Sequence, residues 1–244
     1  MTRHRLDELL VQRGLYSSRS RARDAISRGT VTVDGVVAAK PAQNTSPESR
    51  IEILDEARVY VSRSALKLKS GINFFNISVK GLNCLDIGAS TGGFTQVLLE
   101  QGAAHVTAID VGHSQFDASL QRDPRVTSIE GLNARDLTAG HLKHKIEFIV
   151  CDVSFISLKL ALPKALALVE SGAQLLALIK PQFEAGRDAI GRGGIVSDPQ
   201  EHERVCKEIS EFLTAENWRV IGITPSSIEG GDGNREFLIA AVKN

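Results

Sequence analysis

The chain has 244 residues, enough for one large domain or for a large domain beside a small one. Its composition (42% hydrophobic, 24% charged) is that of a globular protein, and it contains neither a signal-peptide core nor an apolar run of membrane-spanning length, so we expect a cytoplasmic protein that makes no membrane contact. The formal net charge is zero, yet residues 1–70 carry 13 Lys and Arg against 8 Asp and Glu, which predicts an amino-terminal module that binds a polyanion.

The amino-terminal module is predicted to span residues 1–60. Leucines at helical spacing predict a first helix that ends at Gly14, and Ser17 or Ser18 can cap a second helix that runs to Arg28. Two valine-rich runs around Asp34-Gly35 predict a hairpin. Residues 40–50 are predicted to be loop, and residues 51–54 the last strand of the module.

The residue order of this module resembles that of an S4 domain, a small α+β RNA-binding fold. The resemblance covers about residues 3–53 and rests on R-L-D-x-L-L followed by S-R-S-x-A-R-x-x-I-x-x-G-x-V-x-V-D-G. It implies that the basic second helix faces structured RNA, with arginine–phosphate contacts that supply affinity without reading bases. The alternative is a solvated arginine-rich face. The predicted RNA-binding residues here are Arg3, Arg5, Arg19, Arg21, Arg23 and Arg28.

In residues 61–244, predicted strands alternate with predicted helices, as in a doubly wound α/β sheet. The predicted strands are 82–87, 105–110, 126–130, 147–152, 173–180, 219–224 and 236–242. The predicted helices lie near 63–76, 94–101, 114–121, 158–168 and 200–215. The pattern therefore predicts one seven-stranded sheet, whose last two strands include an antiparallel hairpin.

A glycine-rich loop follows the first of these strands, at residues 85–95. Its glycines would let the backbone turn sharply and approach a ligand closely, although the loop lacks the G-x-G-x-x-G spacing of dinucleotide-binding folds. The pattern D-x-G-A-S-x-G-G-F resembles the S-adenosylmethionine loop of class I (Rossmann-like) methyltransferases, particularly the FtsJ-like RNA ribose methyltransferases. An ordinary strand–helix turn is the alternative. The resemblance, with the spacing discussed next, predicts these cofactor-binding residues: Asp86, Gly88, Ala89, Ser90, Gly92, Gly93, Phe94, Asp110, Asn133 and Asp152.

Two of these residues follow later strands. Asp110 ends the second strand 22 residues after Gly88, a distance at which a carboxylate can accept both ribose hydroxyls of a nucleoside. A turn residue at a strand end is the alternative. Asn133 follows the third strand, where the adenine edge usually lies in the family that the loop resembles.

Four residues are predicted to carry the chemistry. Lys67 precedes the first strand, Asp152 and Lys180 end the fourth and fifth strands, and Glu236 opens the last strand. Their order resembles the Lys-Asp-Lys-Glu tetrad of FtsJ-like 2′-O-methyltransferases. We assign Lys180 to the acceptor 2′-hydroxyl, where it either stabilises the oxyanion or accepts the hydroxyl proton. Asp152 is assigned to orienting Lys180, and the other two to the charge network that holds the ribose. Each could instead form a structural ion pair.

The remaining features concern a loop and the cysteines. Residues 186–194 form a glycine-punctuated loop in which Arg187 and Arg192 are predicted to clamp RNA phosphates, a merely disordered connection being the alternative. The three cysteines are odd in number and lack a CxxC pair, so we expect reduced thiols and no metal site.

Taken together, an S4 module fused to an FtsJ-like domain is similar to the TlyA family of ribosomal RNA cytidine-2′-O-methyltransferases, some of which are labelled haemolysins. The resemblance spans essentially the whole chain and implies S-adenosylmethionine as cofactor, ribosomal RNA or ribosomal subunits as partner, and no protein partner. Because both termini are compact, as in shorter members, large-subunit RNA is favoured over small-subunit RNA. The alternatives are a membrane-active haemolysin and a non-catalytic RNA-binding protein.

Overall fold

The computed structural model describes residues 3–230 and 233–244. Residue contacts divide the chain into two compact units, with the boundary between Val59 and Tyr60. Each unit has a hydrophobic core of its own.

The first unit packs two helices against short strands. Its helices are α1 (Leu6–Gln12) and α2 (Arg19–Ser27), and its strands are β1 (His4–Arg5), β2 (Val31–Val33), β3 (Val36–Val37), β4 (Asn44–Thr45) and β5 (Ile51–Ile53). A 3₁₀ turn at Glu56–Val59 ends the unit. Ser18 caps α2 by accepting a hydrogen bond from the Arg21 N–H, and Gly29 follows the helix with a φ of +72°.

The predicted helices and hairpin of this unit are confirmed, and one prediction is wrong. Residues 40–50 are not all loop, because β4 pairs with β1 in an antiparallel two-residue ladder. Backbone hydrogen bonds alone make that ladder, so no alternation of apolar side chains marks it in the sequence. Strand β2 lies between β3 and β5 in the other small sheet.

The second unit is a seven-stranded sheet covered by helices. Its strands are β6 (Asn83–Ile87), β7 (His105–Asp110), β8 (Val126–Glu130), β9 (Phe148–Cys151), β10 (Gln174–Ile179), β11 (Trp218–Pro225) and β12 (Phe237–Lys243). Its helices are α3 (Ala65–Phe74), α4 (Gly93–Glu100), α5 (Ala118–Gln121), α6 (Leu158–Ala161), α7 (Pro163–Ala167), α8 (Pro181–Glu184) and α9 (Pro199–Ala215). Four 3₁₀ turns lie at Ala134–Asp136, Ala139–His141, Arg187–Ala189 and Arg192–Gly194.

The strand order is β11-β12-β10-β9-β6-β7-β8, with β12 antiparallel to both neighbours and the other pairs parallel. This confirms the predicted seven-stranded α/β sheet and its antiparallel hairpin. Side chains of one strand alternate between the two faces, and so between two cores. In β9, for example, Phe148 and Val150 join the core under α3 and α4, whereas Ile149 and Cys151 join the core under α6, α7 and α9.

Two helix predictions in this unit are wrong in extent. The helix expected over 114–121 is only α5, since Ser114 has a φ of +57° and Asp117 caps the helix by accepting the Ser119 N–H. The helix expected over 158–168 is two helices. Pro163 has no N–H to continue α6 and is instead the first residue of α7.

Candidate active site

The carboxyl ends of β6, β7, β9 and β10 surround a cavity of about 1030 Å³, which we call the large cavity. A small cavity of about 170 Å³ adjoins it. The two share Gly88, Ser90, Asp152 and Ser154, so the glycine loop and the end of β9 separate them. This is the position at which open α/β sheets bind ligands.

The glycine loop packs tightly against other parts of the protein. Gly88 has a φ of +81°, and a Cβ there would lie 2.5 Å from the carbonyl oxygen of Asp152. A Cβ on Gly93 would lie 2.7 Å from Ser64 Oγ. At these two glycines a side chain would thus collide with protein atoms, and Gly88 also lines both cavities. Because Gly88 has no Cβ, the glycine loop can pack directly against the backbone of Asp152 at the end of β9.

Asp110, at the end of β7, is fixed by the loops beside it. Its Oδ2 accepts a hydrogen bond from the Ser90 N–H at 2.8 Å, and its Oδ1 accepts one from the Gly112 N–H at 2.7 Å. Each carboxylate oxygen can accept a second hydrogen bond. Asp110 lines the large cavity, as does Asn133, whose Oδ1 accepts the Arg135 N–H at 3.0 Å.

Asp86 lies beneath the loop and lines neither cavity. Its carboxylate is fully buried, and Thr95 Oγ1 donates a hydrogen bond to Oδ2 at 2.7 Å. Burial, together with the charges of Asp152 and Asp110, raises the pKa of Asp86 to about 7. Asp86 is therefore close to half protonated at neutral pH.

The four residues predicted to carry the chemistry form two buried ion pairs. Lys180 Nζ lies 2.6 Å from Asp152 Oδ1, and both residues line the small cavity. Lys67 Nζ lies 2.5 Å from Glu236 Oε2, and neither residue lines the large or the small cavity. Because Ile179 faces Phe237 across the β10–β12 ladder, Lys180 and Glu236 are the next residues in the same register. The edge of the sheet thus brings the two pairs together.

Three residues at the cavities were not selected from the sequence. Ser154 accepts a hydrogen bond from Lys180 Nζ at 2.9 Å. Phe155 is 91% exposed, has a φ of +66° and lines the large cavity with its ring 5.2 Å from that of Phe183. Gln182 lines the same cavity, and its Oε1 is buried without a hydrogen-bond partner among the described residues. Ser154 and Phe155 belong to the run Asp-Val-Ser-Phe-Ile-Ser, but its pattern does not show that an aromatic ring faces solvent.

Four of the eight arginines predicted to bind RNA have partners within the first unit. Arg5 and Arg19 both bind the carboxylate of Asp7, which is fully buried, at 3.1 and 2.9 Å. Arg28 donates two hydrogen bonds to the carboxylate of Asp55, at 2.9 and 3.0 Å.

Of the other predicted RNA contacts, Arg21 donates to the carbonyl oxygen of Ala57 at 3.2 Å. Arg3, Arg23 and Arg192 are exposed, and within the described part of the chain their side chains have no hydrogen-bond or ion-pair partner. The side chain of Arg187 lies outside the part of the chain that the structure describes.

Among residues 3–230 and 233–244, no helix combines the length and apolarity that crossing a bilayer requires. The same residues contain no group of three or more His, Cys, Asp or Glu side chains that could hold a metal ion.

Comparison with known families matches both units. Residues 60–243 match the model of FtsJ-like methyltransferases, and residues 4–51 match the S4 domain model. The chain is 42% identical over 238 residues to the 16S/23S rRNA (cytidine-2′-O)-methyltransferase TlyA of Mycobacterium tuberculosis, covering 97% of this chain and 89% of that protein. It is 40% identical over 235 residues to Hemolysin A of Brachyspira hyodysenteriae, covering 96% and 98%. A solved structure from Streptococcus thermophilus, described as a candidate hemolysin, superposes with a TM-score of 0.79 at 39% identity, covering 100% of this chain and 90% of that one.

Proposed function

This chain belongs to the FtsJ-like methyltransferases, within the TlyA family that adds an S4 domain, and from that premise we propose that it methylates a ribose 2′-hydroxyl of cytidine in ribosomal RNA. The observation that carries the proposal is the Lys180–Asp152 ion pair on the wall between the two cavities. Two adjoining cavities suit a reaction between two molecules, a methyl donor and an acceptor nucleotide. A ribosomal RNA substrate places the enzyme in the cytoplasm.

The part of the large cavity at Gly88, Asp110 and Asn133 fits S-adenosylmethionine, and the part at Phe155 and Phe183 is left for the acceptor. The cavity has room for a nucleoside-sized ligand, and Asp110 retains acceptor capacity on both carboxylate oxygens for ribose hydroxyls. The unpartnered Oε1 of Gln182 offers a further acceptor to a bound molecule. We assign Asn133 to the adenine end, and Asp152 with the loop at Gly88 to the methyl-donating end. When bound, S-adenosylmethionine supplies a methyl group that is already activated on a sulfonium.

The protein's own contribution is to position and polarise the acceptor. A ribose hydroxyl is a poor nucleophile, so its oxygen must be aligned and its developing negative charge stabilised. Lys180 is the buried ammonium that lines the small cavity, and we assign it to that oxygen. Asp152 and Ser154 hold its side chain from two sides. The Lys67–Glu236 pair fixes the neighbouring end of β12.

Phe155 is suited to hold the acceptor base. The Phe155 side chain is 91% exposed to water, and its backbone has a φ of +66°. Both are unfavourable in free energy, and a bound partner that covers the ring can offset them. A nucleobase stacked on such a ring is stabilised by about 1–3 kcal/mol. The S4 unit would hold the surrounding RNA through its exposed arginines, Arg3 and Arg23.

The test is transfer of labelled methyl from S-adenosylmethionine to isolated ribosomal subunits, with the modified nucleotide mapped. Lys180→Ala should reduce transfer by more than about 100-fold and leave S-adenosylmethionine affinity unchanged. Lys164→Ala, at an exposed lysine on α7, is the matched control. Mapping also decides between the large and the small subunit. Lysis of membranes without methylation of either subunit would refute the proposal, and so would full activity of Lys180→Ala.

A further inference from the structure

Two segments that line the large cavity are joined by a ladder of side-chain contacts. The first, which we call the β9 loop, is residues 152–158, and the second is residues 180–184 after β10. Lys180 contacts Asp152 and Ser154, and the ring of Phe183 packs against that of Phe155. The third contact lies farthest along both segments from Asp152 and Lys180. It is formed by Glu184, the last residue of α8.

Glu184 holds the far end of the β9 loop with both carboxylate oxygens. Its Oε2 accepts a hydrogen bond from Ser157 Oγ at 2.5 Å, and its Oε1 accepts the Leu158 N–H at 2.7 Å. Ser157 is the cap residue of α6, so the carboxylate binds the first turn of that helix. The first N–H groups of a helix lack partners within it, and Glu184 supplies one to Leu158. Burial raises the pKa of the Glu184 carboxyl, and its hydrogen bonds from Ser157 and Leu158 oppose that rise.

The β9 loop has little other support. In the described part of the chain, residues 153–157 donate no hydrogen bond from their N–H groups to a backbone carbonyl. The loop contains Phe155 at a φ of +66°, a strained conformation that persists only where its surroundings impose it. The loop thus depends largely on side-chain contacts, and at its far end these are the two hydrogen bonds to Glu184.

We infer that Glu184 is a positioning residue for the methyl transfer: it fixes the β9 loop so that Phe155 meets the acceptor base and Ser154 meets Lys180. This inference rests on the proposed function and extends it to a residue that touches neither substrate. Loss of the Glu184 carboxylate should therefore lower kcat/KM for RNA and leave the affinity for S-adenosylmethionine unchanged. A residue needed only for folding would instead affect RNA use, cofactor binding and thermal stability together.

The experiment compares Glu184→Ala, Glu184→Gln and Ser157→Ala with wild type, using ribosomal subunits as acceptor. Loss of a charge-assisted pair of hydrogen bonds in Glu184→Ala should lower kcat/KM for RNA by about 10- to 100-fold. Glu184→Gln can still accept the Leu158 N–H and can donate to Ser157 Oγ, so it should stay within about threefold of wild type. Ser157→Ala should lie between them.

Two further measurements separate positioning from folding. Titration with S-adenosylmethionine should give wild-type affinity for every variant. In a double-mutant cycle, Glu184→Ala should have little additional effect once Phe155→Ala is present, because both changes act through one loop. Glu208→Ala is the control, since Glu208 binds Lys159 and Arg204 at the surface nearby.

The results that overturn the inference differ from those that overturn the proposed function. Wild-type kinetics in Glu184→Ala, multiplicative losses in the cycle, or an equal loss of S-adenosylmethionine affinity would each overturn the role of Glu184. Absence of methyl transfer in the wild-type protein would instead overturn the proposed function.

Discussion

Asp86 offers a quantitative test of the electrostatics beneath the glycine loop. In the folded protein, burial together with nearby Asp152 and Asp110 raises its pKa from 3.8 to about 7. In the unfolded chain the carboxyl group is hydrated and titrates near its ordinary value. Between about pH 4 and pH 7, the unfolded state therefore loses the Asp86 proton while the folded state keeps it.

This difference in bound protons makes the free energy of unfolding depend on pH. The unfolded state binds fewer protons in that window, so the Asp86 contribution to the free energy of unfolding falls as pH rises, and it levels off above about pH 7. Each pKa unit corresponds to about 1.4 kcal/mol, so the cost of the charged, buried carboxylate is on the order of 4 kcal/mol above pH 7. About 3 kcal/mol of this cost develops between pH 5 and pH 8.

Asp86→Asn removes the titration and keeps an oxygen that can accept from Thr95 Oγ1. Relative to wild type, the variant should gain about 3 kcal/mol in the free energy of unfolding between pH 5 and pH 8. Urea denaturation of both proteins at pH 5, 6, 7 and 8 measures this gain. Asp188→Asn, at an exposed carboxylate, is the control. A difference between Asp86→Asn and wild type that stays constant over the pH range would refute the reasoning.

Three other changes test the site and the S4 unit. Gly88→Ala places a Cβ 2.5 Å from the Asp152 carbonyl oxygen, at a φ that disfavours side chains. It should lower S-adenosylmethionine affinity, measured by calorimetry, and kcat, measured by methyl transfer, each at least about tenfold. Asp55→Ala removes the carboxylate to which Arg28 donates two hydrogen bonds, and the Arg28 side chain is largely buried. The change should destabilise the isolated fragment 1–59 by about 3 kcal/mol in urea denaturation, or prevent its folding. An unchanged denaturation midpoint would contradict this. Phe155→Ala should reduce kcat/KM for RNA by about 10- to 100-fold with unchanged cofactor affinity, whereas Phe155→Trp should retain activity; equal losses in both variants would argue against stacking.

The sheet could be predicted because each of its strands leaves a local signal. A parallel strand that is covered on both faces is a short apolar run, as in β6 and β9, and such runs were found within two residues of their ends. The ends of the helices depended on single residues. Pro163 divides one predicted helix, and the cap at Asp117 delays another.

Asp110, Asp152 and Lys180 could be selected because they lie where strands end at one edge of the sheet, and Lys67 and Glu236 were selected through the resemblance to the FtsJ-like tetrad. Their pairing could not be predicted, since Lys67 and Glu236 are 169 residues apart and only the register of β10 with β12 brings Glu236 beside Lys180. The partners of the arginines were missed for a related reason. Asp7 and Asp55 are ordinary acidic residues in the sequence, and only packing shows that they are buried beneath Arg19 and Arg28.

The position of β12 has a consequence for the order in which the protein acquires activity during synthesis. Among the seven strands of the large sheet, β12 leaves the ribosome last, yet it lies between β10 and β11, which are made earlier. Strand β11 therefore has no place in the sheet until β12 is inserted, and Glu236 reaches Lys67 only at that moment. The S4 unit ends at Val59, so its whole sequence is made long before β12 and can fold first. A nascent chain can thus acquire RNA affinity well before it acquires a complete active site.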